Sequence, residues 1–307
     1  MAISQPTFPS MNKTKARVRI NKLFRFLFQF SGLLCISILL GIFGMLCYNT
    51  IAFFTKISPI DFITATQWPP SSGGDTSTYG LLPLLVSTLL VTSGSMVLAI
   101  PLGIGTALFM SEYAGAGMKQ WLKPTIEMLA AIPSVVIGFV GITIVSPLIS
   151  ALFGLPNGLN ALNGSVLLAI MALPTIITIS EDAIHAVPQS LKEASLGLGA
   201  TYWQTLRGVV LPAAAPGIIA AVMLGMGRAI GETMTVLMAT GNTLAFPKGF
   251  FDSIRTITAT IAIEMGEVPY QTTHYYALFA IAFVLFIITM LVNILAEHIA
   301  NRIRQFQ

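Results

Sequence analysis

The sequence predicts an all-α integral membrane protein with six transmembrane helices. Three observations carry that reading. Of 307 residues, 55% are hydrophobic and only 9% charged, with a mean hydropathy of +0.82. A soluble domain carries roughly a quarter charged residues. The apolar residues gather in runs near the roughly 20 residues that a crossing helix needs. The basic residues stand mostly at the ends of those runs. The pI of about 9.1 therefore reflects topology, and its pattern argues against a nucleic-acid partner.

Residues 1–25 read as a basic cytoplasmic tail, with Lys13, Lys15, Arg17, Arg19, Lys22 and Arg25. The first transmembrane helix, 26–54, is too long for a signal-peptide core, and no small-x-small cleavage site follows it. Residues 55–79, with WPPSSGGDTSTYG, read as an extracytoplasmic loop. A core of five more transmembrane helices is expected over 80–298. The second runs from Leu81 to Met110, with Pro101 able to kink it by removing a backbone donor. Pro124 suits the first helical position of the third, to Leu152. The fourth covers Gly164 to Ile179, the fifth Pro216 to Thr240 and the sixth Tyr275 to Ala296. Ser253–Gly266 predicts a short helix whose apolar part is far too short to cross. It reads as a re-entrant or interfacial helix outside the cytoplasm. Residues 299–307 form a second cytoplasmic tail.

The positive-inside rule fixes the orientation. With both termini inside, the cytoplasm holds the tail residues together with Lys119, Lys123, Lys192, Arg207, Arg302 and Arg304. The outside holds only Lys56, Lys248 and Arg255. The chain thus crosses its membrane several times, with lipid as the solvent of most of it.

The stretch 190–212 is the one long soluble-looking segment between apolar spans in the second half. Ser190 and Glu193 have the S-x-x-E form of a capping box, and Thr201 to Gln204 repeats it as T-x-x-Q. Gly199 can close the first helix in a left-handed conformation, and Leu211-Pro212 is expected to close the second. Two capped helices on the cytoplasmic face point to docking, not chemistry.

Arg228 lies inside the fifth span. A lone arginine near the bilayer centre costs at least ~2.5–3.5 kcal/mol on insertion scales. Glu232 at i+4 would share its face, as would Gly225 and Thr235, so this face could line a polar pathway. Gly227 and Gly231 on the adjacent face would let another helix approach. The ligand that suits a guanidinium is an oxyanion, whose oxygens match its fork. A structural ion pair between helices is the bland alternative.

No catalytic or metal set is visible. His185, His274 and His298 lack metal-ligand spacing, and Cys35 and Cys47 stand about 18 Å apart along one helix. No G-x-x-x-x-G-K-[ST] is present, so the chain cannot hold ATP in a P-loop of its own.

At Glu193-Ala194-Ser195-Leu196-Gly197-Leu198-Gly199, continuing to Val209-Val210-Leu211-Pro212, the sequence resembles the EAA loop of ABC-importer permeases. Ser195 stands for the second Ala and Val209 for Ile. The resemblance implies that Glu193, Ala194 and Gly199, with Ser190 at the start, form a coupling helix docking on an ATPase. From about Tyr79 to Tyr276, PLGIGTALFMSEYA, EMLAAIPSVVIGFVG and especially GRAIGETMTVLMATGN resemble the PstC-type permease of phosphate importers. That likeness implies a type I importer architecture and a role for Arg228 and Glu232 in phosphate passage. It also implies a PstA-type permease partner, two PstB-type ATP-binding cassette subunits and a PstS-type extracytoplasmic binding protein. ATP and magnesium would be held by the ATPase partners, and this chain would be no enzyme. Two rivals are a permease for another oxyanion, sulfate or molybdate, and a proton-coupled secondary transporter. The docking loop without a P-loop argues against the second.

Overall fold

A computed structural model describes residues 11–68 and 78–304. The first ten residues of the expected tail, the 69–77 part of the first loop and the last three residues lie outside the described residues. So do the side chains of residues 11–20, Ala116, Ile303 and Arg304. Among the described residues, six helices are long and apolar enough to cross a membrane: Asn21–Phe54, Leu82–Tyr113, Ser134–Phe153, Ala161–His185, Tyr202–Gly231 and Thr273–Arg302. The only extended pairing among them is a single parallel bridge between Gly241 and Ile254.

The first helix, α1 (Met11–Phe54), begins within the basic segment whose composition suggests a tail. Lysine and arginine are good helix formers, and no proline or glycine interrupts them. The following loop is more structured than its composition implies. It forms α2 (Pro59–Thr64) and sends Phe62, Trp68 and Tyr79 into a buried cluster with Phe53, Leu84, Ile257 and Leu278. Helix α3 (Leu82–Leu108) carries Pro101 inside it and continues as a π-helical turn, Phe109–Tyr113.

The third span starts later than Pro124 suggests. Pro124 falls inside an amphipathic helix, α4 (Ala116–Ala130), which buries none of its described residues fully. The chain breaks at Pro133, because the residue before a proline is driven out of the helical region. It then continues as α5 (Ser134–Val140), a π turn Gly141–Val145 and α6 (Ser146–Phe153). Helix α7 (Ala161–His185) is the central one, packed on α3, α4, α10 and α11. Asn160 caps it by accepting from the Asn163 amide at 3.0 Å.

Between Gln189 and Thr240 three further expectations fail. Helix α8 (Gln189–Gly197) is capped by Pro188, so Ser190 lies inside it and the Ser190–Glu193 capping box does not form. The Thr201–Gln204 box does form, opening α9 (Tyr202–Thr205). Pro212 does not end that helix. A π turn, Leu206–Val210, leads straight into α10 (Leu211–Gly231), and Pro212 falls in its first turn, where a missing N–H costs little. Helix α10 stops at Gly231, well short of Thr240. Glu232 is extended, and α11 (Met234–Ala239) starts afresh.

The short helix predicted at Ser253–Gly266 is α12 (Ile257–Glu264). It is packed into the protein rather than lying on its surface: Ile257, Ala259 and Thr260 are wholly enclosed. Its start is stitched to the interior by Ile257 N–H donating to Thr88 Oγ1 at 3.1 Å and Thr258 Oγ1 donating to the Glu232 carbonyl at 2.9 Å. The last helix, α13 (Thr273–Arg304), packs on α1, α10 and α12.

Candidate functional site

The break in the fifth span decides where its charges go. Arg228 is in the last turn of α10 and exposed, while Glu232 is the residue at which the helix opens. With extended backbone at Glu232, the i, i+4 face expected for Gly225, Arg228, Glu232 and Thr235 does not exist. Among the described residues Arg228 has no hydrogen bond or ion pair. The half-buried Glu232 carboxylate lies 3.4 Å from the Thr235 amide, at the start of α11. Thr235 is fully buried, and its hydroxyl donates to the Ser134 carbonyl at 3.0 Å, tying α11 to the start of α5. Gly225 is also enclosed: a Cβ there would lie 2.7 Å from Ile176 Cγ1 on α7. Gly227 and Gly231 have open space instead. The face of α10 left open by this chain is thus Leu224, Gly227, Arg228 and Gly231, so Gly225 parts from Arg228 and packs inside the chain.

The docking candidate sits on α8, none of whose residues is buried. Ser190, Glu193, Ala194 and Gly199 are all exposed, beside Leu191, Leu196, Leu198 and Trp203. Gly199 has φ +85°, a left-handed conformation that a side chain resists. Exposed carboxylate and apolar residues on one short helix suit a protein partner better than solvent.

Two charged networks are invisible to sequence spacing. One fixes α8 from within: Lys192 Nζ donates to Glu112 Oε1 at 2.6 Å and Tyr202 donates to Glu112 Oε2 at 2.8 Å. Alongside, Lys123 on α4 meets Glu181 at 3.3 Å and Asp182 at 3.6 Å at the end of α7. The hydrogen bond to Glu181 holds the Lys123 ammonium above its ordinary pKa. The other network is at the opposite end of α13. Buried Glu264 accepts from Arg255 Nη1 at 2.9 Å and from Trp68 Nε1 at 3.0 Å, with His274 Nε2 at 2.8 Å. In the sequence, Arg255 and Glu264 merely bound an apolar stretch. The signal that could have found them is that an ionisable residue in an apolar segment requires a partner.

A bundle with six helices long and apolar enough to cross a membrane has a matching family. The model of the family described as "Binding-protein-dependent transport system inner membrane component" matches residues 99–305, about two thirds of the chain. The chain belongs to this family. Within this inner-membrane component, the matched segment holds α8, the broken fifth span and α12 alike. The chain is 39% identical over 276 residues to a probable ABC transporter permease protein, YqgH, of Bacillus subtilis, covering 90% of this chain and 87% of that one. It is 35% identical over 261 residues to the phosphate transport system permease protein PstC of Mesorhizobium japonicum, covering 79% of this chain and 78% of that protein. In fold it resembles a bacterial ABC transporter involved in importing the acidic polysaccharide alginate, with TM-score 0.62 and 16% identity, over 92% of this chain and 99% of that one. The architecture is that of type I importer permeases.

Proposed function

We propose that this chain is the transmembrane permease subunit of an ATP-driven inorganic phosphate importer. The observation that carries the reading is Arg228: an exposed guanidinium near the end of a membrane-crossing helix, with no partner among the described residues. Such a group costs too much to keep without a ligand or a polar pathway. Its planar fork suits the paired oxygens of phosphate. Relatives named as phosphate transport permeases, at 31–35% identity over most of the chain, support phosphate over another oxyanion. Glu232 at the helix break would accept a proton from monobasic phosphate or repel it toward release.

In this reading α8 and Gly199 face the cytoplasm and dock on a PstB-type ATPase, which binds ATP and magnesium. A PstA-type permease completes the pathway against the open face of α10, and a PstS-type protein delivers phosphate from outside. Both termini are then cytoplasmic, as the distribution of basic residues implies. Uptake of radiolabelled phosphate into vesicles holding the assembled importer tests it. ATP-dependent uptake competed by unlabelled phosphate, and not by sulfate or molybdate, is expected. Competition by sulfate or molybdate at equal concentration would overturn the assignment of cargo.

A further inference from the structure

Glu112 closes the second span, in the π-helical turn Phe109–Tyr113, and its side chain is only 6% exposed. Two separate elements meet on it, and a third reaches the same turn. Lys192 reaches it from α8 at 2.6 Å, itself only 12% exposed. Tyr202, the first residue of the apolar helix Tyr202–Gly231, donates its hydroxyl at 2.8 Å, and its ring stands edge-on to Tyr113 at 5.5 Å. Lys119 then donates to the neighbouring Ser111 carbonyl at 3.2 Å, bringing α4 to the same turn.

Helix α8 has little else to hold it. Among the described residues, two side-chain hydrogen bonds leave it: Lys192 to Glu112, and Ser195 to Thr205 at 2.9 Å. The first is a short, charge-assisted bond in a water-poor setting, directional where an apolar contact would let the helix slide. π-helical turns are points at which a helix can be re-aimed, and they recur at functional sites. We propose that Glu112 is a positioning residue that transmits displacement of the docking helix α8 into the second and fifth spans together. The fifth span carries Arg228, so one carboxylate would link the ATPase contact to the substrate face. This inference rests on the proposed importer function, and on α8 as the ATPase-docking element.

The test uses the complete importer in proteoliposomes, measuring phosphate uptake and ATP hydrolysis on the same vesicles. Glu112→Gln keeps the size and removes the charge. The phosphate moved per ATP hydrolysed should fall about tenfold, within the range typical of a coupling interaction, while hydrolysis persists. The double reversal Glu112→Lys with Lys192→Glu should restore the ratio towards that of the unaltered protein, which neither single change does. A role in folding alone would lower uptake and hydrolysis in proportion to the amount of assembled complex. An unchanged ratio in Glu112→Gln therefore overturns the proposal while leaving the importer function standing. If Glu112→Gln does not assemble, Lys192→Gln on exposed α8 takes its place in the same measurement, and an unchanged ratio there overturns the proposal equally. Vesicles of the unaltered complex that take up no phosphate with ATP would overturn the function, and this inference with it.

Discussion

Arg228 and Glu232 stand four residues apart in sequence, yet a helix end separates them: Arg228 is in the last turn of α10, and Glu232 is the extended residue that follows Gly231. The arginine projects from an exposed position, whereas the glutamate turns towards the Thr235 amide of the next helix. They are therefore two sites with separate work, not a pair that neutralises itself. Discontinuous helices in transporters commonly expose backbone and charge at the substrate.

Independence has a direct consequence. Arg228→Ala should lower phosphate uptake about 10- to 100-fold, the loss of one charged hydrogen-bonding partner worth roughly 1.5–3 kcal/mol. Arg228→Lys should recover part of it, keeping the charge but not the fork. The charge exchange Arg228→Glu with Glu232→Arg should not rescue transport. Initial uptake rates in vesicles check all three, and rescue by the exchange would show that the two act as an ion pair.

The two sides of α10 should respond oppositely to substitution. Gly225→Val places methyl groups against Ile176, where a Cβ alone would already be 2.7 Å from Cγ1. Overpacking of this kind costs about 1–3 kcal/mol. Gly227→Ala meets nothing within 4 Å in this chain and should leave its stability equal or higher by up to ~1 kcal/mol through helix propensity. Thermal unfolding of the purified subunit in detergent compares the two. If Gly227→Ala nonetheless blocks assembly of the complex, the open face of α10 is where a partner seats.

Much of the fold is legible in the sequence because bilayers impose a length and a periodicity that composition reveals. The six spans, the glycine turn at Gly199 and the Thr201–Gln204 cap follow from local rules. The failures share a cause. Position alone does not make a proline a helix boundary: Pro133 breaks a helix while Pro124 and Pro212 lie inside helices, and tertiary packing chooses among them. The break at Glu232 has no proline to announce it. At that break the Glu232 carbonyl accepts from Thr258, 26 residues away. Glu112 with Lys192 and Glu264 with Trp68 are separated by 80 and 196 residues, beyond any reading of spacing.

Gly199 is limited by backbone conformation and not by space. Its φ of +85° excludes branched residues, although nothing lies within 4 Å of the position a Cβ would take. Strain there is thus a backbone matter, about 1–2 kcal/mol for an L-residue. Gly199→Asn, which accepts left-handed backbone more readily, should retain most uptake. Gly199→Val should shift α8 and uncouple hydrolysis from transport. Uptake and ATPase rates of the two variants in the same membranes check this.

The strongest effect on stability is expected at Glu264, because three segments distant in sequence converge on its carboxylate. Arg255 approaches from the extended segment before α12, Trp68 from the first loop and His274 from the start of α13. Only 2% of the Glu264 side chain is exposed, so it has no water to replace a lost partner. Glu264→Gln keeps the shape but removes the charge facing the Arg255 guanidinium, itself only 15% exposed. Breaking a buried pair from one side costs about 3–5 kcal/mol, since the remaining charge stays enclosed. Glu267→Gln, on an exposed residue three positions further on, should change stability by less than about 0.5 kcal/mol. Thermal unfolding followed by tryptophan emission reports the difference. The emission of Trp68 should also shift in Glu264→Gln, since its indole N–H loses a charged acceptor, and the shift should vanish in a Trp68→Phe background. Equal unfolding midpoints for the two variants would mean that the convergence on Glu264 is not what fastens the first loop to α12 and α13.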